Sequence, residues 1–94
     1  MSPAEQNALK DCQGYAAAGR LRLTWHVENE SMPDRDATID DVKEAIRTAT
    51  NCKQQQGKEP GTYKWRLEGG MDLDDLEMTV IAVLDDGVLV VTMF

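Results

Sequence analysis

Glu77-Met78-Thr79-Val80-Ile81-Ala82-Val83-Leu84-Asp85-Asp86-Gly87-Val88-Leu89-Val90-Val91-Thr92-Met93-Phe94 decides the fold. Two apolar runs rich in β-branched residues flank Asp85-Asp86-Gly87. An Asp-Gly pair in that position favours a hairpin, because both residues accept the positive φ that a tight turn between twisted strands requires. A two-residue turn at Asp86-Gly87 predicts Leu84 opposite Leu89, Ala82 opposite Val91 and Ile81 opposite Thr92. Both faces of this hairpin are largely apolar, so helices must cover one, and another layer or a second chain the other.

Working outward, Thr62 to Glu68 alternates, with Tyr63, Trp65 and Leu67 on one side and Lys64, Arg66 and Glu68 on the other, and reads as a strand ended by Gly69-Gly70. Gln54 to Gly61 is polar and rich in breakers and reads as a loop. Thr38-Ile39-Asp40-Asp41 forms a capping box with Ala37 and Val42 placed as a staple, and Ile39, Val42, Ala45, Ile46 and Ala49 share one helical face. A helix over 39–50 is expected. Arg20 to Val27 has period two, which gives a strand or a strand entering a helix near His26. Ser2, Pro3 and Glu5 open a first helix that runs to about Ala18 and stops at Gly19. The expected fold is α+β in one domain over 1–94: N-terminal helices packed on a small antiparallel sheet of three to four strands, the fourth being the 20–27 segment.

The chain has 94 residues and a net charge of −7. A globular composition of this kind fits one compact domain. Residues 1–20 are neutral, 21–50 carry −3, 51–70 carry +2 and 71–94 carry −6. Acidity on this scale opposes non-specific binding to nucleic acid or anionic lipid, so any such partner needs the one basic stretch mid-chain. The apolar run Val88–Val91 is far shorter than a membrane span, and Met1 to Asn7 lacks the basic and apolar pattern of a signal peptide. Cys12 and Cys52 have no Cys-x-x-Cys pairing and read as free thiols or a single disulfide. A cytoplasmic protein with no membrane partner is the expectation.

Few residues carry candidate chemistry. His26, the only histidine, is either a hydrogen-bonded, partly buried side chain or a group that moves protons near neutral pH. Arg35, between Asp34 and Asp36, either pairs with carboxylates on the surface or clamps a phosphate. Lys64 and Arg66 form the solvent side of an ordinary half-buried strand, or the basic side of an RNA-binding sheet with Tyr63 and Trp65 opposite. Thr92, among apolar neighbours, needs a hydrogen-bond partner or belongs to a site. Asp72, Asp74, Asp75 and Glu77 do not match calcium-loop spacing. No phosphate loop, nucleophile elbow or cofactor motif is present, and no metal or cofactor is expected.

Thr24-Trp25-His26, Arg35, Thr38 to Val42 with Ala45-Ile46, a basic strand, a Gly-Gly turn and a terminal Val90-Val91-Thr92-Met93-Phe94 follow in an order that resembles a family of small bacterial and phage-type domains related to RelE/BrnT-type toxins. The similarity spans about residues 21–94, with 1–19 as an extra helix. Pro33 stands where that family has an uninterrupted helix. The resemblance implies a RelE-like α+β core and a metal-independent ribonuclease of a toxin–antitoxin system, with His26, Arg35 and Thr92 catalytic and Lys64 and Arg66 on RNA phosphate. The rival reading is a non-catalytic acidic interaction module of the same fold. It would bind a protein partner, an antitoxin or another basic protein, or form a homodimer through the 77–94 hairpin.

Overall fold

Ser2 starts the first element as its sequence predicts: its hydroxyl accepts from Glu5 N, the Glu5 carboxylate accepts from Ser2 N, and helix α1 runs Pro3–Ala17. In this computed structural model, which describes residues 1–94, the chain then forms β1 (Leu21–Leu23), a π-helical turn (Val27–Ser31) continuing into the short α2 (Met32–Arg35), and α3 (Ile39–Thr48). Strands β2 (Asn51–Gln56), β3 (Tyr63–Met71), β4 (Glu77–Leu84) and β5 (Val88–Met93) complete it. Thr38 caps α3 through the anticipated box with Asp41. The C-terminal carbonyls of α3 are satisfied from outside the helix, because Gln13 Nε2 donates to the carbonyls of Ile46, Arg47 and Ala49. One side chain thereby ties α1 to the end of α3.

The fold is α+β, and its sheet is larger than expected. Five strands lie in the order β1-β5-β4-β3-β2, with β1 parallel to β5 and every other pair antiparallel. Two corrections account for the difference. The segment read as a loop from Gln54 supplies the second half of β2, because Asn51 to Gln56 pairs in continuous register with Tyr63 to Glu68. Polar side chains are tolerated there because β2 is an edge, and its outward amides are met by the N-terminal segment: Gln54 N donates to Glu5 Oε2 and Cys52 N to Met1 Sδ. Gly69-Gly70 does not end β3 but bulges it, with Gly69 at φ 79° and the register shifting between Leu67 and Gly70. A Cβ on Gly70 would lie 2.0 Å from the Ala45 carbonyl oxygen, so this glycine sets how closely α3 seats on the sheet.

The hairpin register also departs from the expected one. Leu84 faces Val88 and Ala82 faces Val90 across a three-residue turn, Asp85-Asp86-Gly87. A bulge at Val91 then restores the anticipated pairing of Ile81 with Thr92. The cause lies across the sheet: Val88 N donates to the carbonyl of Arg20, which fixes Val88 and Val90 beside β1 and turns both into the core. Leu89 and Val91 consequently point outward, since a one-residue slip exchanges the two faces of a strand.

The inner face carries the core. Cys52, Leu67, Val80 and Met93 form one buried row across four strands, covered by Leu9 and Cys12 of α1 and by Val42, Ala45 and Ile46 of α3, with Val27 closing the β5 side. All the helices lie on this side, and the outer face is bare. No helix is long and apolar enough to cross a membrane.

Candidate functional site

The outer face can be built row by row from the pairing. Lys53, Arg66, Ile81 and Thr92 stand opposite one another in one row. In the next, Gln55 faces Lys64, Val83 faces Leu89, and Leu89 faces Arg22. Apolar side chains thus occupy the middle of the face and basic ones its flanks. Phe94, paired through its backbone with Thr79, adds an exposed ring at one end, and the Arg66 guanidinium lies 5.2 Å from that ring's centre. Acids meet these cations: Asp85 Oδ2 lies 3.6 Å from Arg22 Nη2, and the Glu68 carboxylate accepts from Asn51 and Arg66 and lies 3.6 Å from Lys53 Nζ. Its partners hold Glu68 below the usual carboxyl range, the Asn51 hydrogen bond foremost.

His26 borders this face. The chain leaves β1 with Thr24 N donating to the Val90 carbonyl and turns into helix, so the strand alternation ends before Trp25, which is left 71% exposed rather than packed inside. The π-helical turn follows, with the Trp25 carbonyl accepting from the Asn29 side chain. It brings His26 Nδ1 within 2.5 Å of Glu30 Oε2. A carboxylate can only accept, so in the neutral ring Nδ1 carries the proton and Nε2 is a free base. His26 is half-exposed and lines two neighbouring clefts. One, of about 490 Å³, is lined among others by Tyr63, Lys64, Val83 and Val91. The other, of about 710 Å³, contains Phe94, Glu30, Asp34 and Arg35.

Of the residues singled out from sequence, His26, Lys64, Arg66 and Thr92 therefore belong to one face or its border. Arg35 lines the second cleft, but its guanidinium is engaged: the Nη2 atom donates to Asp72 Oδ2, 3.3 Å away, and to the carbonyls of Leu76 and Glu77. Its buried Nε has no partner. The side chain pins the 72–77 loop to α2. Pro33 lies within the continuous helical stretch that ends at Arg35, and His26 and Arg35 line the same cleft across it.

The same loop gathers Asp41, Asp72 and Asp74, whose carboxylate oxygens lie within 4.8 Å of one another. Two of the three are occupied by the fold: Asp41 accepts from Thr38 N and Leu73 N, and Asp72 from Asp74 N, Leu76 N and Arg35. Those hydrogen bonds hold both carboxyls below the ordinary range, led by the Thr38 amide for Asp41 and the Leu76 amide for Asp72. Cys12 and Cys52 are free, buried thiols, pushed up by burial to about 12 and about 11. Neither is a competent nucleophile near neutral pH.

Sequence reading missed Glu30, whose role depends on a π-helical turn that no apolar period announces, and Phe94, which ends the chain beside Thr79 and stands exposed. Comparison with protein-family models, with curated proteins and with solved structures found no match to the chain.

Proposed function

We propose that the chain is a RelE/BrnT-like toxin-type domain, a metal-independent ribonuclease of a toxin–antitoxin system. The observation that carries this reading is the free Nε2 of His26 at the junction of two clefts, on the border of the sheet face that carries Lys64 and Arg66. In the reaction, Nε2 takes the proton of an RNA 2′-hydroxyl, the 2′-oxygen forms a bond to phosphorus, and the bond to the 5′-oxygen breaks. The imidazolium returns the proton to that leaving oxygen. Lys64 and Arg66 supply charge to the phosphorane, and Thr92, in the same sheet row as Arg66 with Ile81 between them, can donate its hydroxyl to a phosphate oxygen. Arg35 acts through the loop it holds, because its fork is already occupied. The products are a 2′,3′-cyclic phosphate and a 5′-hydroxyl. End-group analysis of a cleaved oligonucleotide tests this: replacing the 2′-hydroxyl at the cleaved position with hydrogen must abolish cutting, and cleavage that survives the replacement rejects the mechanism.

A second reading, a non-catalytic acidic module for a basic protein partner, is favoured by a different surface. Met71, Leu73 and Leu76 stand exposed beside Asp74, Asp75 and Glu77. An antitoxin or other partner with apolar and basic side chains would complement that patch.

A further inference from the structure

We propose that the groove between α1 and α3, together with the 71–77 loop beside it, docks a cationic amphipathic helix of a partner protein. Apolar side chains of that helix meet Leu73 and Leu76, and its basic side chains meet Asp40, Asp74 and Asp75. This rests on the reading of the chain as a module for a basic partner and goes beyond it in assigning the groove and the form of the ligand. The groove, of about 530 Å³, is lined among others by Ala16, Ala17 and Gly19, whose small size leaves room for a larger side chain, and by Leu73. Leu73 is 59% and Leu76 61% exposed, and the fold holds both in place. Asp72 N donates to the Leu76 carbonyl, Asp75 N to the Asp72 carbonyl, and the Asp72 carboxylate accepts from Asp74 N and Leu76 N. Leu73 N donates to Asp41 in the first turn of α3, and Thr48 at its end exchanges hydrogen bonds with Met71. Leucines presented by a backbone bonded in this way surrender little freedom on binding, which favours a pre-formed docking surface.

Charge selects the partner. Asp40, Asp74, Asp75 and Glu77 belong to none of the chain's ion pairs, and residues 71–94 contain no base. Of the two cations that line the groove, Arg47 is held by Glu44, which leaves Lys43 alone against these acids. Unmatched carboxylates beside exposed leucines call for basic and apolar side chains together. An amphipathic helix presents both, and a groove between two helices is a shape that receives one. Both helices of the groove cover the inner side of the sheet, whereas His26 borders the outer face, so a bound partner leaves the His26 clefts open.

The test is fluorescence anisotropy with a labelled helical peptide of leucine and lysine in amphipathic order. Its controls are the same peptide with glutamate for lysine, and a leucine–lysine scramble without an apolar face. The amphipathic lysine peptide should bind about tenfold more tightly than either control. Ala17→Arg, which fills the groove, Leu73→Ser, Leu76→Ser and the double variant Asp74→Asn with Asp75→Asn should each weaken it about fivefold or more, and the NMR signal of His26 should not move on binding. All five positions are exposed, so the variants should keep the fold, which circular dichroism checks. A scramble that binds as tightly, variants that all bind like wild type, or a displaced His26 signal would overturn the proposal. Losses confined to Leu76→Ser and the aspartate variant, with Ala17→Arg and Leu73→Ser unchanged, reject the groove and keep the acidic loop as the partner's surface. No binding of the lysine peptide at low salt rejects the groove and the basic-partner reading together.

Discussion

At the scale of residues, the pairing of His26 with Glu30 determines which ring nitrogen is available. Because His26 is the only histidine, nitrogen NMR can read its tautomer without ambiguity. The wild type should show the proton on Nδ1, and Glu30→Ala should move a large part of the population to the Nε2–H form; an unchanged tautomer would show that the carboxylate does not set it. Asp41 and Asp72 bear on pH. A carboxyl lowered by folding adds stability at pH above its ordinary value of 3.8, and that contribution is lost as the pH falls through the folded value. Thermal melts should therefore fall off below that ordinary value, and Asp72→Asn should melt lower at neutral pH with a shallower acid decline. His26, Lys64, Arg66 and Thr92 were legible as candidates from residue type and alternation. The commitment of Arg35 was not, because its partners lie some forty positions away in a loop without periodicity.

At the scale of elements, capping chemistry was the most legible feature: both capping boxes close as their sequences predict. Strand faces were less so. The Asp-Gly signal located the hairpin, but its near-turn register follows from the parallel pairing of β1 with Val88, a contact between segments more than sixty residues apart. Strand β2 escaped detection because pairing with β3 and shielding by α1 replace the apolar alternation that usually marks a strand. Gly70 was readable as a turn signal, whereas its role is steric. Gly70→Ala should cost about 3 kcal/mol in urea unfolding, since the added methyl meets helix backbone that cannot yield. A cost under about 0.5 kcal/mol would mean that α3 is not seated as described. Cys12 and Cys52, buried between α1 and the sheet, should resist thiol reagents in the folded protein and react fully in denaturant.

At the scale of the whole molecule, the fold gathers Arg22, Lys53, Lys64 and Arg66 on one sheet face of a chain of net charge −7, with Glu68 set against Lys53 and Arg66 and Asp85 against Arg22. Helices confined to one side of the sheet leave that surface accessible, and the outward turn of Leu89 and Val91 gives it an apolar middle. Binding to such a surface should weaken as salt rises, with the shallow dependence expected for a few phosphate contacts rather than many. The central claim is tested most directly by incubating wild-type protein and His26→Ala with a single-stranded RNA oligonucleotide in excess chelator. The wild type should cut it to cyclic-phosphate ends at a rate unaffected by the chelator, with His26→Ala slower by at least a hundredfold. An inert wild type, or a His26→Ala variant that cuts equally well, would contradict the account.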